Sequence, residues 1–172
     1  MKTMKIGFSR NNEDKIFSVL LQKYMNRSYS HCFVEYDTKE YLGDDAIYHS
    51  SLSAGIGYMS KVVFEESNDI VLMYEIEIPE SIYYEIRESL FKVCGKKYGL
   101  MQNLGILIVD TARKLGIKMK NPLVEDENCS EMIYRHVLSI LYPELKYDPN
   151  VITPRDVENI LNKVGKRINN GI

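Results

Sequence analysis

Cysteine is scarce in this chain: three residues, Cys32, Cys94 and Cys129, among 172. Three thiols cannot all pair, and their spacing matches no metal-ligand pattern, which excludes a disulfide framework and a structural metal from the expectations. The pattern suits a reducing compartment. Positive charge is in no surplus either, with 22 Lys and Arg against 24 Asp and Glu and a net charge of −2. A nucleic-acid partner is therefore not expected. Long apolar runs are missing as well. The most apolar window, 104–109, falls far below the ~20 residues that cross a bilayer, so no integral membrane segment is expected. Met1-Lys2-Thr3-Met4-Lys5 leads into only a short apolar stretch before Arg10 and Asn11, unlike a secretory signal. With no repeat, low-complexity tract or linker, the expectation is one cytoplasmic domain over residues 1–172.

What is present is a globular composition, 45% hydrophobic and 27% charged. Short strands are expected at 6–9, 31–36, 46–50, 58–64 and 70–78, with Gly43-Asp44-Asp45 and Asn68-Asp69 as turns. Residues 31–36 and 46–50 are placed to pair as an antiparallel hairpin. A helix is expected early, over 14–25, where Ile16, Val19, Leu20 and Tyr24 recur at helical spacing. From Pro79 the period changes. Ile82, Ile86, Leu90 and Val93 mark a helix ending at Gly95, and a second spans 100–115. A third runs over 129–141 to a stop at Pro143, and Thr153-Pro154-Arg155-Asp156 opens the last with an N-cap and a proline at N1. The tail from Lys166 is polar and is expected to fray. Strands first and helices later make an α+β domain, an antiparallel sheet packed against helices.

Cys129 is the cysteine that burial alone does not explain. Asn128 is a good N-cap, and Met132, Ile133, Val137, Ile140 and Leu141 place Cys129 on the buried stripe of its helix. Unpaired N–H groups and the macrodipole at a helix start favour a thiolate, the nucleophilic form. Glu125, Asp126 and Glu127 oppose that unless they point outward. Cys94 and Cys32 read as packing residues, Cys32 because it alternates away from His31. His136 shares the Cys129 helix face about two turns on, ~10 Å along the axis, which is too far to act as its base. His31 and His49 lie on adjacent expected strands, where opposed side chains sit ~5 Å apart, so one imidazole can accept the thiol proton while the other orients it. Glu35 is the fallback orienting group.

Three stretches resemble a known family. Ser30-His31-Cys32-Phe33-Val34-Glu35-Tyr36 resembles the S-H-V-x-I-Y strand of NlpC-type papain-like cysteine peptidases. Ile47-Tyr48-His49-Ser50 is similar to the next strand of that family, and Asn128-Cys129-Ser130-Glu131-Met132-Ile133 to its D-C-S-G-L-V helix start. Here the cysteine follows the histidines, which resembles the circularly permuted branch that includes the lecithin-retinol acyltransferase type. Lys97-Tyr98-Gly99 and Thr153-Pro154-Arg155-Asp156 are similar to that branch's K-x-Y-D and T-P-x-D elements. Cys32 and Phe33 stand where Val-Gly is usual, and Gly99 where Asp is common.

The resemblance implies a circularly permuted papain-like fold in which Cys129 is nucleophile, His31 general base and His49 the orienting residue, with Tyr98 at the substrate pocket or oxyanion site. It implies a peptidase or amidase working through a thioester on a small peptide or acyl-amide substrate, with cell-wall-type peptides first. Acyl-lipid amidase, thioesterase or acyltransferase chemistry is the alternative, and a non-catalytic binding module on the same fold is the alternative of another class. No metal or organic cofactor is needed for that chemistry.

Overall fold

Alternation along the first strand explains the centre of the fold. In β1 (Lys2–Asn11) the apolar residues Met4, Ile6 and Phe8 fall on one face and are fully buried. The computed structural model describes residues 1–12, 16–38, 43–51, 55–124 and 127–168. Within them β1 pairs antiparallel with β2 (His31–Tyr36) on one side and β5 (Asn68–Ile78) on the other. β3 (Ala46–Ser51) adds to β2, β4 (Gly55–Ser60) to β3 and β6 (Lys166–Ile168) to β5, giving one six-stranded antiparallel sheet in the order β4-β3-β2-β1-β5-β6.

Among the described residues six helices accompany the sheet, completing an α+β architecture. They are α1 (Ile16–Met25), α2 (Lys61–Ser67), α3 (Glu80–Phe91), α4 (Leu100–Lys114), α5, which begins at Cys129–Ile133, and α6 (Pro154–Val164). α5 continues through a π-helical turn, Tyr134–Leu138, into a last α turn, Ser139–Leu141. The main core joins Met4, Ile6, Phe8, Val34, Tyr48 and Tyr74 of the sheet to Met132, Val137 and Leu138 of α5 and Val157 and Leu161 of α6. Full burial of such a side chain stabilises by about 1.5–3 kcal/mol. A smaller cluster on the opposite face joins Phe33, Ile47 and Met73 to Phe64 of α2.

Several elements differ from the sequence expectation. β1 extends well past 6–9 because β5 is long enough to pair it from Lys2 to Asn11, whereas β2 pairs only its middle, Lys5 to Ser9. The expected strand over 58–64 is divided: β4 ends at Ser60 and α2 begins at Lys61. Asp44, far upstream, accepts from the Val62 N–H at 3.1 Å and the Ser60 hydroxyl at 2.5 Å, so a distant carboxylate caps this helix. Asn68-Asp69 is no turn. It opens β5, where Asp69 pairs with Arg10 at 2.9 Å. The start of the expected 14–25 helix lies outside the described residues, and α1 is seen from Ile16. In the tail, 166–168 pairs with β5 as β6, and 169–172 lie outside the described residues. Among the described residues no helix is long and apolar enough to cross a membrane.

Candidate functional site

α5 begins where the sequence favours a helix start. Asn128 Oδ1 accepts from the Glu131 N–H at 2.9 Å and from the Ser130 hydroxyl at 2.9 Å. Such a cap satisfies one of the orphan first-turn donors and leaves the helix dipole aimed at Cys129. The residue before the cap is fixed just as firmly. The Glu127 carbonyl accepts from the buried Ser50 hydroxyl at 3.2 Å and the Gly99 N–H at 3.4 Å. Its carboxylate meets His136 Nε2 at 2.9 Å and Lys96 Nζ at 3.3 Å, while His136 Nδ1 hydrogen-bonds Ser89 at 2.8 Å. His136 thus ties the loop before α5 to α3. Burial would raise Glu127, but His136 and Lys96 outweigh it and hold the carboxyl below its ordinary range. Glu127 is therefore turned away from Cys129; Glu125 and Asp126 lie outside the described residues.

Cys129 is buried in the main core, and two consecutive residues of β2 reach its sulfur. The Cys32 thiol hydrogen-bonds it, and that bond is the largest influence holding Cys129 well below the usual thiol range. Burial opposes the shift, and the charge and hydrogen bond of His31 and the Cys32 N–H add to it. The Cys32 thiol is pushed up, by burial first and then by its bond to Cys129 and that thiolate's charge. From the sequence Cys32 reads as packing only; in the structure its thiol also bears on Cys129. Strand alternation does send its side chain to the helix-facing core while His31 faces Phe64, with ring centroids 6.3 Å apart. His31 is the first residue of its strand, however, and from that end its imidazole also meets the sulfur.

His49 lies beside His31, with ring centroids 5.5 Å apart and planes 80° to one another. The register Val34↔Tyr48 explains this, since one step further sets His49 opposite Phe33 and diagonal to His31. The contact is edge-on, and His31 Nε2 is buried without a hydrogen-bond partner, so His49 adjoins the ring without bonding it. Burial, then the charge of His31, pushes His49 down to about 3, which keeps it neutral. Glu35 is engaged elsewhere: Lys5 meets its Oε1 at 2.8 Å and Lys61 its Oε2 at 2.9 Å. Burial would raise this carboxyl, but the two ammonium groups carry it below its ordinary value.

Tyr98 completes the cluster. Its hydroxyl accepts from Asn103 Nδ2 at 2.7 Å. Burial and then the charge of Cys129 push the phenol upward, so it stays protonated. The segment bearing it is pinned at β4, where the Ile56 N–H donates to the Lys96 carbonyl at 2.9 Å. Gly55 is required there. Its φ is +74°, and a Cβ would sit 2.3 Å from the Lys96 oxygen. On the other side Gln102 Nε2 donates to Glu131, so the start of α4 is fastened to the first turn of α5. Cys94 stays apart, its sulfur 3.8 Å from the Tyr48 hydroxyl.

The structure thus brings Cys129, His31, His49 and Tyr98 together, and adds Cys32 and Asn103. The signal for Cys32 was its position: beside a histidine at a strand start, the neighbour that faces the helix layer lies under the helix start. Among the described residues no group of three or more His, Cys, Asp or Glu is placed to hold a metal ion. Comparison of the chain with models of protein families, with curated proteins and with solved structures finds no match.

Proposed function

We propose that this chain is a cysteine hydrolase of the circularly permuted papain-like type, cleaving an amide through an acyl-enzyme on Cys129. One arrangement carries the reading: a buried thiol at a capped helix start, with the paired imidazoles of His31 and His49 on the strands beneath it, His31 favouring its thiolate. Packing alone does not require a capped helix start at the thiol or a histidine pair beside it. The chain order, β2 and β3 before the cysteine helix, supports the permuted form.

In the proposed reaction the Cys129 thiolate adds to the carbonyl carbon, and the oxyanion faces the first-turn N–H groups of α5 and the Tyr98 hydroxyl. The C–N bond then breaks as the His31 imidazolium gives its proton to the leaving amine. Water next adds to the thioester while His31 takes its proton, and the C–S bond breaks to release the acid. His49, neutral and packed on the ring, restricts His31 to the orientation that serves Cys129. The positive charge cycles on His31 alone, because His49 does not compete for the proton.

Cell-wall-type peptides are the first substrate class to test and lipid amides the second. The protein is incubated with each, and intact mass together with released amine is measured. The expected outcome is a hydroxylamine-labile acyl mass on wild type, absent from Cys129→Ala. A Cys129 that neither acylates nor alkylates more readily than Cys94 would make the chain a binding module instead.

A further inference from the structure

Beside the site, α4 presents an outward face of unusual character. Met101, Leu104 and Ile108 recur at spacings of three and four residues, so they share one stripe, and each is 40–42% exposed. The stripe leads into Leu115 and Ile117, which are 73% and 55% exposed, and into the half-exposed Met119. The inward face of the same helix buries Ile106, Val109 and Ala112, with the polar Gln102 and Asn103 near the site. An ordinary surface helix keeps its outward face polar, and exposed apolar residues sharing one stripe mark an interaction surface.

Charge identifies what that surface meets. Residues 111–124 carry four cations, Arg113, Lys114, Lys118 and Lys120, and no acid. Lys114 is engaged by Asp110 at 3.2 Å and lies over the Tyr24 ring. The acids Glu125, Asp126 and Glu127 follow in the sequence, and Glu127 is taken up by His136 and Lys96. Lys118 and Lys120 alternate with Ile117 and Met119 along a segment devoid of helix or strand. Apolar side chains interleaved with ammonium groups match a bilayer interface, where the former enter the acyl boundary and the latter meet anionic headgroups. A second copy is a poor occupant, since a twofold contact of this face would set its cations against themselves.

We infer that the outward face of α4 and the segment after it dock this protein on an anionic phospholipid surface. The site lies against the start of the same helix, on its inward face, and no described helix is long and apolar enough to span a bilayer. The docking does not depend on the proposed hydrolase chemistry.

The test is sedimentation of the full chain with vesicles of phosphatidylcholine alone and of phosphatidylcholine with 30% phosphatidylglycerol, at low and high salt. Binding is expected to the anionic vesicles, weakened by salt. Each surface cation contributes about fivefold to such binding, so Lys118→Gln/Lys120→Gln should lose more than tenfold, and Leu115→Ser/Ile117→Ser should lose it too. Both pairs are exposed, and circular dichroism checks that the fold persists. Cys129→Ala should bind as wild type does, which separates docking from catalysis. Absence of wild-type binding to anionic vesicles overturns the inference, and so does binding indifferent to the lysine pair. Self-association that is lost in Leu115→Ser/Ile117→Ser, with no vesicle binding, assigns the face to a second copy instead.

Discussion

At the scale of single residues, the sulfur of Cys129 concentrates the chemistry. Iodoacetamide reacts with thiolate, so its rate against pH reads the titration directly. Wild-type Cys129 should alkylate well below the ordinary ~8.5 of a free cysteine. Cys32→Val removes the largest influence on that thiolate, and His31→Ala the next favourable one, so each should move the profile to higher pH. A profile unmoved by both changes contradicts the arrangement described. His49 makes a second prediction. Its folded pKa of about 3 lies below the ~6.5 of an unfolded histidine, so the unfolded chain binds the extra proton between those values. Stability should therefore fall as pH drops from about 6.5 toward 3, and denaturant midpoints should show this fall flattened in His49→Gln. Cys129, His31 and His49 were legible in the sequence as residues that could meet. The edge-on histidine contact was not, because strand spacing fixes which rings are neighbours and says nothing of how they tilt. Cys32 was passed over for a related reason: alternation shows which side a residue takes, while contact depends on the helix laid across that side.

At the scale of elements, the helix carrying Cys129 is held from in front as well as from below. Asn128 caps it, and Glu127 fastens the preceding loop to α3 through His136 and to Lys96. Glu127→Gln keeps the volume and loses the charge. Hydrogen bonds to charged groups contribute about 1.5–3 kcal/mol, so a loss of that order, discounted for partial exposure, is expected in urea unfolding. Because the Glu127 pKa is depressed, its contribution is present above the ordinary carboxylate value of ~4.3 and is lost as pH falls through the folded value. The difference between wild type and Glu127→Gln should shrink accordingly in acid. The late helices were readable because their caps are local: Thr153 and Asp156 bond reciprocally, and Pro154 occupies the first turn. α2 was not readable. Val62, Val63 and Phe64 have strand propensity, and the carboxylate that starts the helix instead is Asp44, eighteen positions before Val62. Long-range contacts of this kind override local preference.

At the scale of the whole molecule, the α+β class and the pairing of β2 with β3 followed from periodicity, since one-sided burial imposes alternation on a strand. The full length of β1 did not. Lys5 and Arg10 look like strand ends until Glu35 and Asp69 are seen opposite them. The placement of the site has a consequence in time. His31 and Cys129 are 98 positions apart (129 − 31), so the thiolate's environment exists only once most of the polypeptide has closed on itself, and closures of such length are slow relative to local structure. During refolding from urea, rapid alkylation of Cys129 near pH 6 should appear together with the final tertiary signal and lag behind helix formation. The cluster is a late arrival: a partly synthesised polypeptide carries the imidazoles of β2 and β3 long before it has the thiol of Cys129 to set beside them.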